Sequence, residues 1–550
     1  MHRRIRLGTG IGAFIFGASL AVSHDARADA AVTVQASTIR QTLSPTFHGI
    51  NYVGFWDPAQ GSTASSTALS KTNIKMIRFP GGDPGDWYDW QCPYYTTEQT
   101  PSCPATPVSS SWSSTSPLDL WQYASRFGGS VLFQTNFAGN VPNPPGQSYA
   151  VNSPQNAAAW ARYAQAQGMR ASFEIGNEQD IHMTSEHDPN FQPYIQAFSA
   201  QASAIHAVDP NFKVFGPAGT NEWFWWALDS LGMFLAGAGN KTGTGQVDGV
   251  SLHFYSGTDW ESSVERAQYW ESSNGPWNFI KSTIANHDTR SLPVYISEWH
   301  IGSPYAAFNS SMANALVTAD MIGAFADSGV AGQQYFTIHN VDTDPNSWGL
   351  LHSSGESRPT DSPTPNYYAM VLWGRMGDRV LNLTQSADPA RGVSHYAAKK
   401  ADGAVQVLSI NKSNAAETVT TSFTGFNPTG RNVSMYTLTP VGDRTSRDVR
   451  YNGVTNPSPS ALPAAATQSV SGASFSHVLA ANSISLLDFA PGASGTGGTG
   501  GSAGTGGGGT AGTPTCSTHL ASSASVHSWG LLAVAALALS RLLRRRRANV

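Results

Sequence analysis

Two carboxylates stand in short apolar segments 120 residues apart in the chain. Glu178 closes the segment Phe173-Glu-Ile-Gly-Asn-Glu178, and Glu298 lies in Val294-Tyr-Ile-Ser-Glu-Trp-His300. A brief β-prone run that ends in a carboxylate is typical of catalytic residues at the carboxyl ends of barrel strands. Two such carboxylates on one rim are what cleavage of a glycosidic bond needs, one protonated as an acid and the other ionised.

The residues around these carboxylates supply further polar groups. Alternation along a strand puts Glu174, Gly176 and Glu178 on one face, so Glu174 points into a barrel lower down while Glu178 sits at the rim. Asn177 is placed to hydrogen-bond a sugar 2-hydroxyl, a contact that strengthens in the transition state. Three more residues follow candidate strands at rim positions and are candidate substrate contacts or ordinary loop residues: Asn136, His300 and Asn340.

Other kinds of chemistry lack their sequence signals. The chain has no HExxH motif or paired-cysteine metal pattern, and no P-loop or dinucleotide fingerprint. The segment Gly249-Val-Ser-Leu-His253 fails the G-x-S-x-G elbow at its last position. We therefore predict neither a metal nor a cofactor.

The elements that must position these residues alternate between strands and helices. Helical patterns cover Asn156–Gln167, Pro193–Val208 and Ser311–Asp327. Eight strand candidates end in polar or Gly-rich residues: Thr46–Val53, Ile74–Phe79, Ser130–Asn136, Ala171–Gly176, Lys213–Gly216, Gly249–Tyr255, Pro293–Ser297 and Gly332–Ile338. This order predicts an α/β fold, a (β/α)8 TIM barrel. An open doubly wound sheet is the competing interpretation, weakened because the first loop has no phosphate-binding glycines.

After about residue 375 the pattern changes to short alternating strands with turns between them, which predicts a C-terminal all-β sandwich. Val32–Ile39 is a candidate strand for that sandwich. The predicted organisation is a signal peptide at 1–30, a joining strand at 31–45, the barrel at 46–375, the sandwich at 376–491, a Gly-rich linker at 492–515 and a sorting or anchor segment at 516–550.

The ends of the chain indicate export and tethering. Arg3, Arg4 and Arg6 precede an apolar run and the small-x-small site Ala28-Asp29-Ala30, so the mature chain is predicted to start at Ala31. The tail joins Cys516, a short apolar run and an Arg cluster, an arrangement that resembles surface-sorting tags of some Gram-negative bacteria; a plain tail anchor is the alternative. We predict a cell-surface or outer-membrane location, with release from the cell as a variant of it.

The amino-acid composition limits the kinds of partner that the protein is expected to bind. Charged residues make up 12% of the chain, well below the usual share of about 25%. The net charge of −4, with arginines concentrated at both ends, leaves an acidic body that argues against a nucleic-acid partner. The 16 Trp suit a protein that stacks on sugars, although core packing explains many of them equally well. Cys92 and Cys103 flank one loop and are expected to form a disulfide after export, two free thiols being the alternative.

Several motifs together resemble a known group of enzymes. Gly176-Asn-Glu178 and Ser297-Glu-Trp299 resemble the acid/base and nucleophile strands of the retaining (β/α)8 glycoside hydrolases of clan A. Arg78-Phe-Pro-Gly-Gly82 and Ser251-Leu-His-Phe-Tyr255 resemble the second and sixth strands of its β-glucuronidase/heparanase, arabinofuranosidase and β-xylosidase families. The resemblance implies that Glu178 is the acid/base and Glu298 the nucleophile. It also implies that Arg78, His253 and Tyr255 line the site, with the tyrosine bonded to the nucleophile.

Two functions from different classes follow. The first is an exported, surface-tethered retaining glycoside hydrolase, a monomer that acts on poly- or oligosaccharides through two glutamates. The second is a non-catalytic carbohydrate-binding or adhesion protein on an inactive barrel. The sequence departs from the resembled families in Gln179-Asp180 after the acid/base and in an eighth strand ending Phe336-Thr-Ile-His-Asn340 without a Trp. These departures leave the sugar and the choice of endo or exo cleavage open.

Overall fold

A computed structural model describes most of the chain between its two ends. The described residues are 30–53, 62–82, 85–86, 88–91, 94–95, 115–137, 150–180, 192–220, 230–240, 245–257, 259–273, 275–301, 308–340, 347–385 and 392–491. Cys92, Cys103, Cys516, the leader before Ala30 and the C-terminal tail lie outside them. Within the described ranges, no helix combines the length and the apolar character needed to cross a bilayer.

The first two thirds of the described chain alternate strands with helices. In chain order they are β1 (Ala30–Thr42), β2 (His48–Asn51), α1 (Thr63–Lys71), β3 (Met76–Phe79), β4 (Tyr88–Asp89), β5 (Tyr94–Tyr95), α2 (Pro117–Ser125), β6 (Ser130–Thr135), α3 (Pro154–Ala166), β7 (Ala171–Ile175), α4 (Gln192–Val208), β8 (Val214–Gly219), α5 (Ser230–Ala238), β9 (Gly249–Tyr255), α6 (Trp260–Tyr269), α7 (Pro276–His287), β10 (Val294–His300), α8 (Met312–Ser328), β11 (Gly332–Tyr335) and α9 (Pro365–Trp373).

Eight of these strands close into a barrel. The order around it is β10-β11-β2-β3-β6-β7-β8-β9, and neighbouring strands pair in parallel. The predicted (β/α)8 barrel is confirmed, and the open doubly wound sheet is excluded because the sheet closes on itself. Parallel strands bring all eight carboxyl ends, and thus both candidate carboxylates, to one rim.

Residue type along β7 shows how the sequence positions the site. Phe173 and Ile175 are fully buried in the apolar cluster, whereas Glu174 between them is fully buried among polar groups. Because side chains alternate across a strand, the apolar residues face the helices and Glu174 faces the barrel interior. The strand ends at Ile175, and the next residue, Gly176, has a φ of 72° that suits a residue without a Cβ and turns the chain toward the rim.

Strands β4 and β5 pair with each other, and the remaining strands form a mostly antiparallel sheet of eleven strands. They are β12 (Arg379–Gln385), β13 (Val393–Lys399), β14 (Val405–Asn411), β15 (Glu417–Thr424), β16 (Asn432–Pro440), β17 (Val449–Tyr451), β18 (Val454–Thr455), β19 (Ala466–Ser469), β20 (Ser474–Leu479) and β21 (Ser483–Phe489), together with β1. Strand β1 lies between β12 and β15, antiparallel to the first and parallel to the second. The predicted β-sandwich is confirmed, although β17 to β20 are strands that the sequence did not reveal.

A buried ion pair joins the barrel to the sandwich. Lys412, which follows β14, donates to Asp320 of α8 at 2.5 Å, and both side chains are 2% exposed. Tyr396 donates to the same carboxylate at 2.8 Å. Helix α8 is buried on almost all sides, as expected for a helix that is covered by the barrel and a second domain.

Buried neutral histidines are expected to disfavour the folded state as the pH is lowered from 7 to 5. Burial lowers the pKa of four histidines from 6.5 to about 4, 3, 3 and 4: His48, His300, His395 and His477. Below pH 6.5 these histidines bind protons in the unfolded chain but stay neutral in the folded one. Each such histidine lowers the free energy of unfolding by about 1.4 kcal/mol per pH unit. His206 and His253 have raised pKa values, and burial raises the pKa of Asp180 to about 6 and that of Asp327 to about 7. These four groups act in the opposite direction.

Thermal unfolding measured between pH 5 and pH 7 tests this expectation. His395→Gln should raise the melting temperature at pH 5 relative to that at pH 7, compared with the wild type, since it removes one buried group that must stay neutral. His287→Gln, at the half-buried end of α7, is the matched control for the loss of an imidazole. A change in melting temperature between pH 7 and pH 5 that is equal in His395→Gln and in the wild type would contradict the prediction.

Candidate active site

The turn after β7 presents Glu178 at the barrel rim. Glu178 is 3% exposed and has a φ of 48°, a left-handed conformation that is uncommon for a residue with a Cβ. Its backbone N–H donates to the carbonyl of Ala218 at 2.9 Å, which ties the turn to the end of β8. Unusual backbone conformations held by surrounding structure cluster at functional sites, and this one directs the carboxylate of Glu178 across the mouth of the barrel.

Glu298 lies on β10 and receives two hydrogen bonds from separate strands. The Tyr255 hydroxyl, at the end of β9, donates to Oε1 of Glu298. Arg78 Nη1, on β3, donates to Oε2 at 3.0 Å. A carboxylate that accepts from a phenol and a guanidinium is fixed in orientation and supported as an anion. The tyrosine contact that the family resemblance implied is present.

His253 stands between the two carboxylates. Its Nδ1 lies 2.9 Å from Oε1 of Glu178 and 3.8 Å from Oε2 of Glu298, and the ring is fully buried. One oxygen of each glutamate and one ring nitrogen of His253 all lie within 4.8 Å of one another. The barrel thus brings the two predicted carboxylates together, with a histidine that contacts both.

Arg78 links the inner part of the site. Its guanidinium is fully buried and donates through Nε to Glu174 at 2.5 Å, through Nη1 to Asn51 at 3.0 Å, and through Nη2 to Asn177 at 2.8 Å. Together with the bond to Glu298, these contacts use all three nitrogens. Asn177 therefore lies beside Glu178 with its amide held by Arg78. Asn51 is an additional site residue that the sequence did not single out.

Burial and neighbouring charges set the protonation of the centre. Burial raises the pKa of Glu298, and the nearby Glu178 adds to this, so that the value lies above 4.5 despite His253, Arg78 and Tyr255. Burial lowers the pKa of His253, but the charge on Glu298 and the hydrogen bond to Glu178 outweigh it and raise the pKa above 6.5. Coupled carboxylates in one buried cluster are suited to acid/base work.

The same three residues have the types and spacing that could hold a divalent cation. The surrounding charges favour carboxylate chemistry instead. Arg78 lies 3.0 Å from the Glu298 oxygen that a metal would need, and a buried guanidinium repels a cation. The donor set therefore fits a pair of catalytic carboxylates better than a metal centre.

The three rim candidates occupy different surroundings. Asn136 follows β6 and is 3% exposed, and both polar atoms of its amide lack a hydrogen-bond partner among the residues the structure describes. Asn340 is fully buried, and its backbone N–H donates to Ser353 Oγ at 2.9 Å. His300 Nε2 lies 2.8 Å from the hydroxyl of Tyr335, and burial lowers the pKa of its ring to about 3. The ring of His300 is therefore neutral at the edge of the site, and its contact with substrate stays a prediction.

Trp348 is a site residue that the sequence did not reveal. It lies beyond β11, and its ring is 6.0 Å from that of Tyr255, 5.8 Å from that of His300 and 5.6 Å from that of Phe336. The indole Nε1 is buried without a hydrogen-bond partner among the described residues. The eighth strand lacks a Trp at its end, and this ring from the following segment lies beside the tyrosine that holds Glu298.

A parallel eight-stranded barrel with two adjacent glutamates at its carboxyl rim, followed by a β-sandwich, resembles the arrangement in glycoside hydrolases of the (β/α)8-barrel clan A. The family description that matches this chain is "Glycosyl hydrolases family 39", over residues 157–419. That range contains Glu178, His253 and Glu298. The match agrees with the predicted clan and with the predicted enzyme class.

Relatives agree with this assignment. A β-xylosidase from Geobacillus stearothermophilus is 24% identical over 222 residues, which cover 38% of this chain and 42% of that relative. The chain thus spans less than half the length of this curated relative. Among solved structures, an arabinofuranosidase of family 51 from Xanthomonas axonopodis pv. citri is similar with a TM-score of 0.61 at 16% identity, covering 84% of this chain and 100% of that one. A bifunctional glucanase-xylanase, CelM2, from a metagenome library has a TM-score of 0.59 at 16% identity, covering 84% and 99%.

Proposed function

We propose that this protein is an exported, surface-tethered retaining glycoside hydrolase that cleaves O-glycosidic bonds of poly- or oligosaccharides by double displacement. The observation that carries the proposal is the meeting of Glu178 and Glu298, with one oxygen of each within 4.8 Å. Retaining enzymes hold their carboxyl groups about 5–5.5 Å apart, whereas inverting enzymes need about 6.5–9.5 Å to admit a water.

In the first step, an oxygen of Glu298 attacks the anomeric carbon while the glycosidic bond breaks. Glu178 donates its proton to the departing oxygen, and Glu298 becomes a neutral glycosyl ester. Tyr255 and Arg78 support this assignment because they hold Glu298 as an oriented anion before attack. Glu178 instead contacts His253, whose Nδ1 is 2.9 Å away.

In the second step, Glu178 takes a proton from water, and the resulting hydroxide equivalent attacks the anomeric carbon. The ester bond to Glu298 breaks, Glu298 regains its charge, and the sugar leaves with its original configuration. His253 supports this step because the same ring nitrogen contacts Glu178 and lies near Glu298. The ring of His253 therefore stays close to the negative charge whether that charge is on Glu178 or on Glu298.

The substrate screen and the stereochemistry of the product test this proposal. Aryl arabinosides, xylosides and glucuronides, together with arabinan, xylan and glucans, cover the sugars that the named relatives suggest. With a cleaved aryl glycoside, proton NMR of the first product should show the starting anomeric configuration. An inverted product would overturn double displacement, and saccharide binding without release of reducing sugar would favour the non-catalytic carbohydrate-binding protein.

The location is supported by the ends of the sequence. The basic, apolar and small-residue order of residues 1–30 suits export, and the Gly-rich linker, Cys516 and Arg cluster suit attachment at an envelope surface. Fractionation of the producing cells should find the protein in surface-exposed material that added protease removes from intact cells. Recovery with the soluble cytoplasmic proteins would overturn this part of the proposal.

Trp348 is expected to contribute a sugar contact. Trp348→Ala should lower kcat/KM about tenfold, since it removes both a stacking face and a buried N–H donor that has no partner among the described residues. Trp348→Phe retains a ring without the N–H, and its kcat/KM should lie between those of the wild type and Trp348→Ala. Trp121→Ala, on α2 away from the rim, is the control. Wild-type kinetics in both Trp348 variants would show that the ring does not contact substrate.

A further inference from the structure

Glu174 is a buried carboxylate that the proposed reaction does not use. It lies on β7, upstream of Glu178 in the chain, and it is fully buried. Its Oε2 accepts from Arg78 Nε at 2.5 Å, while Oε1 has no hydrogen-bond partner among the described residues. Because hydrogen bonds to described residues reach one oxygen of this buried carboxylate, they offset little of the cost of its burial. The ion pair with Arg78 is therefore the interaction that explains its position.

Arg78 carries a charge that it cannot release. Burial by itself lowers the pKa of Arg78, but the charges on Glu174 and Glu298 raise it above its ordinary value. In the resting enzyme the fully buried guanidinium is in direct contact with two carboxylates, Glu174 at 2.5 Å and Glu298 at 3.0 Å. A buried cation deprived of its partners is strongly destabilised, so any step that neutralises one of them matters.

The proposed first step neutralises Glu298. Its oxygen forms a bond to the anomeric carbon, the glycosidic bond breaks, and the proton of Glu178 goes to the departing oxygen. The negative charge therefore moves from an oxygen in contact with Arg78 to Glu178, whose contact is His253 at 2.9 Å. In the glycosyl-enzyme the one carboxylate still bonded to Arg78, among the described residues, is Glu174.

We propose that Glu174 is the permanent counterion of Arg78: a positioning residue that keeps the guanidinium paired and oriented while Glu298 is esterified. This inference rests on the proposed function. With Nε held by Glu174, the other nitrogens of Arg78 remain directed at Glu298, Asn51 and Asn177 through both steps. Glu174 thereby lowers the free energy of the covalent intermediate relative to a site whose arginine faced a neutral ester alone.

Formation of the glycosyl-enzyme is the step to measure. The probe is the 2-deoxy-2-fluoro analogue of the aryl glycoside that the wild-type enzyme cleaves, with covalent labelling followed by intact mass. Glu174→Gln keeps the size and an acceptor oxygen but removes the charge, and it should slow labelling at least about tenfold. The loss should be the same for good and poor leaving groups, because the defect lies on the nucleophile side. Glu174→Asp keeps the charge and should remain closer to wild type than Glu174→Gln.

The pH profile separates this role from a structural one. Without the charge of Glu174, Arg78 favours the anion of Glu298 more strongly, so the acid limb of kcat/KM should move to lower pH. Asp320→Asn is the matched control, because it neutralises one partner of a buried 2.5 Å ion pair at the sandwich. That variant should lose melting temperature while its labelling rate and acid limb stay at wild-type values.

The outcomes distinguish this inference from the proposed function. If Glu298→Ala retains activity, the function itself fails. If Glu298→Ala is inactive but Glu174→Gln labels at the wild-type rate with an unmoved acid limb, the counterion role alone is overturned. Should Glu174→Gln fail to fold, Glu174→Asp decides: labelling within about threefold of wild type supports retention of the charge as the requirement, and a tenfold or larger loss overturns it.

Discussion

Replacing Glu298 by alanine is expected to lower kcat roughly 10⁴- to 10⁶-fold, the range seen when hydrolases lose a member of their nucleophilic machinery. The physical reason is that Tyr255 and Arg78 both donate to Glu298, which orients it as an anion for attack at the anomeric carbon. The loss should appear for good and poor leaving groups alike, because attack at the anomeric carbon precedes departure of either.

The fold should survive this change. Arg78 keeps Glu174 at 2.5 Å when Glu298 is removed, so no buried guanidinium is left without an anion. Kinetics on a cleaved aryl glycoside, with melting temperature measured in parallel, test both halves of the prediction. Glu417→Ala is the control, since it removes another buried glutamate, from the sandwich strand β15. Activity of Glu298→Ala within tenfold of wild type would exclude Glu298 as the nucleophile.

Acidification of the wild-type enzyme should reproduce part of this loss reversibly. The pKa of Glu298 lies above 4.5 because burial and Glu178 disfavour its charge. As the pH falls through that raised value, Glu298 gains a proton and loses its ability to attack. The acid limb of kcat/KM therefore belongs at a higher pH than a solvent-exposed glutamate would give, and it should precede unfolding where the melting curve is still cooperative.

Local sequence signals were sufficient for the barrel and for the two carboxylates. Phe173 and Ile175 flanking Glu174 show the period of a strand with a polar inner face, and a glycine at position 176 indicates where that strand ends. A carboxylate just beyond such a strand must reach the rim of a parallel barrel, whatever the loops do. For this reason the sequence predicts Glu178 at the rim. Glu298 was expected just after its strand, but β10 extends to His300 and contains it.

Contacts that arise from closing the barrel could not be predicted in this way. The position of His253 between two glutamates depends on the register of β9 against β10, where His253 pairs with Glu298 after a register shift. Arg78 reaches Glu174 and Glu298 across the interior, from strands that are far apart in sequence. Trp348 follows the last barrel strand in a segment without periodicity, so no pattern indicated that its ring lies beside Tyr255.

Several strands of the sandwich also could not be predicted from local sequence patterns. Strands β18 and β19 are exposed along their whole length, so they carry no alternation of apolar and polar residues. Strand β20 does alternate, but serines and a histidine occupy much of it and weaken the signal. Strands β18, β19 and β20 form because β17, β16 and β15 present edges to them, which is a tertiary cause.

Replacing Glu178 by alanine is expected to lower the rate by a factor that depends on the leaving group of the substrate. A general acid contributes roughly 10²- to 10⁴-fold, and that contribution is needed when the departing oxygen is a poor leaving group. Natural saccharides and unactivated aryl glycosides should lose rate in this range. A dinitrophenyl glycoside departs without protonation, so its first step should stay near the wild-type rate and the glycosyl-enzyme should accumulate, because base-assisted attack by water is also lost.

Azide provides the sharpest control for this assignment. The anion is a nucleophile that needs no general base, and the space left by the Glu178 side chain opens onto the face from which water attacks the ester. Added azide should therefore raise the turnover of the activated substrate and yield a glycosyl azide of retained configuration, while leaving Glu298→Ala without such a product. If Glu178→Ala lost the same factor on every leaving group and azide changed nothing, Glu178 would be a structural residue, and the proton donor would have to be sought elsewhere on the rim.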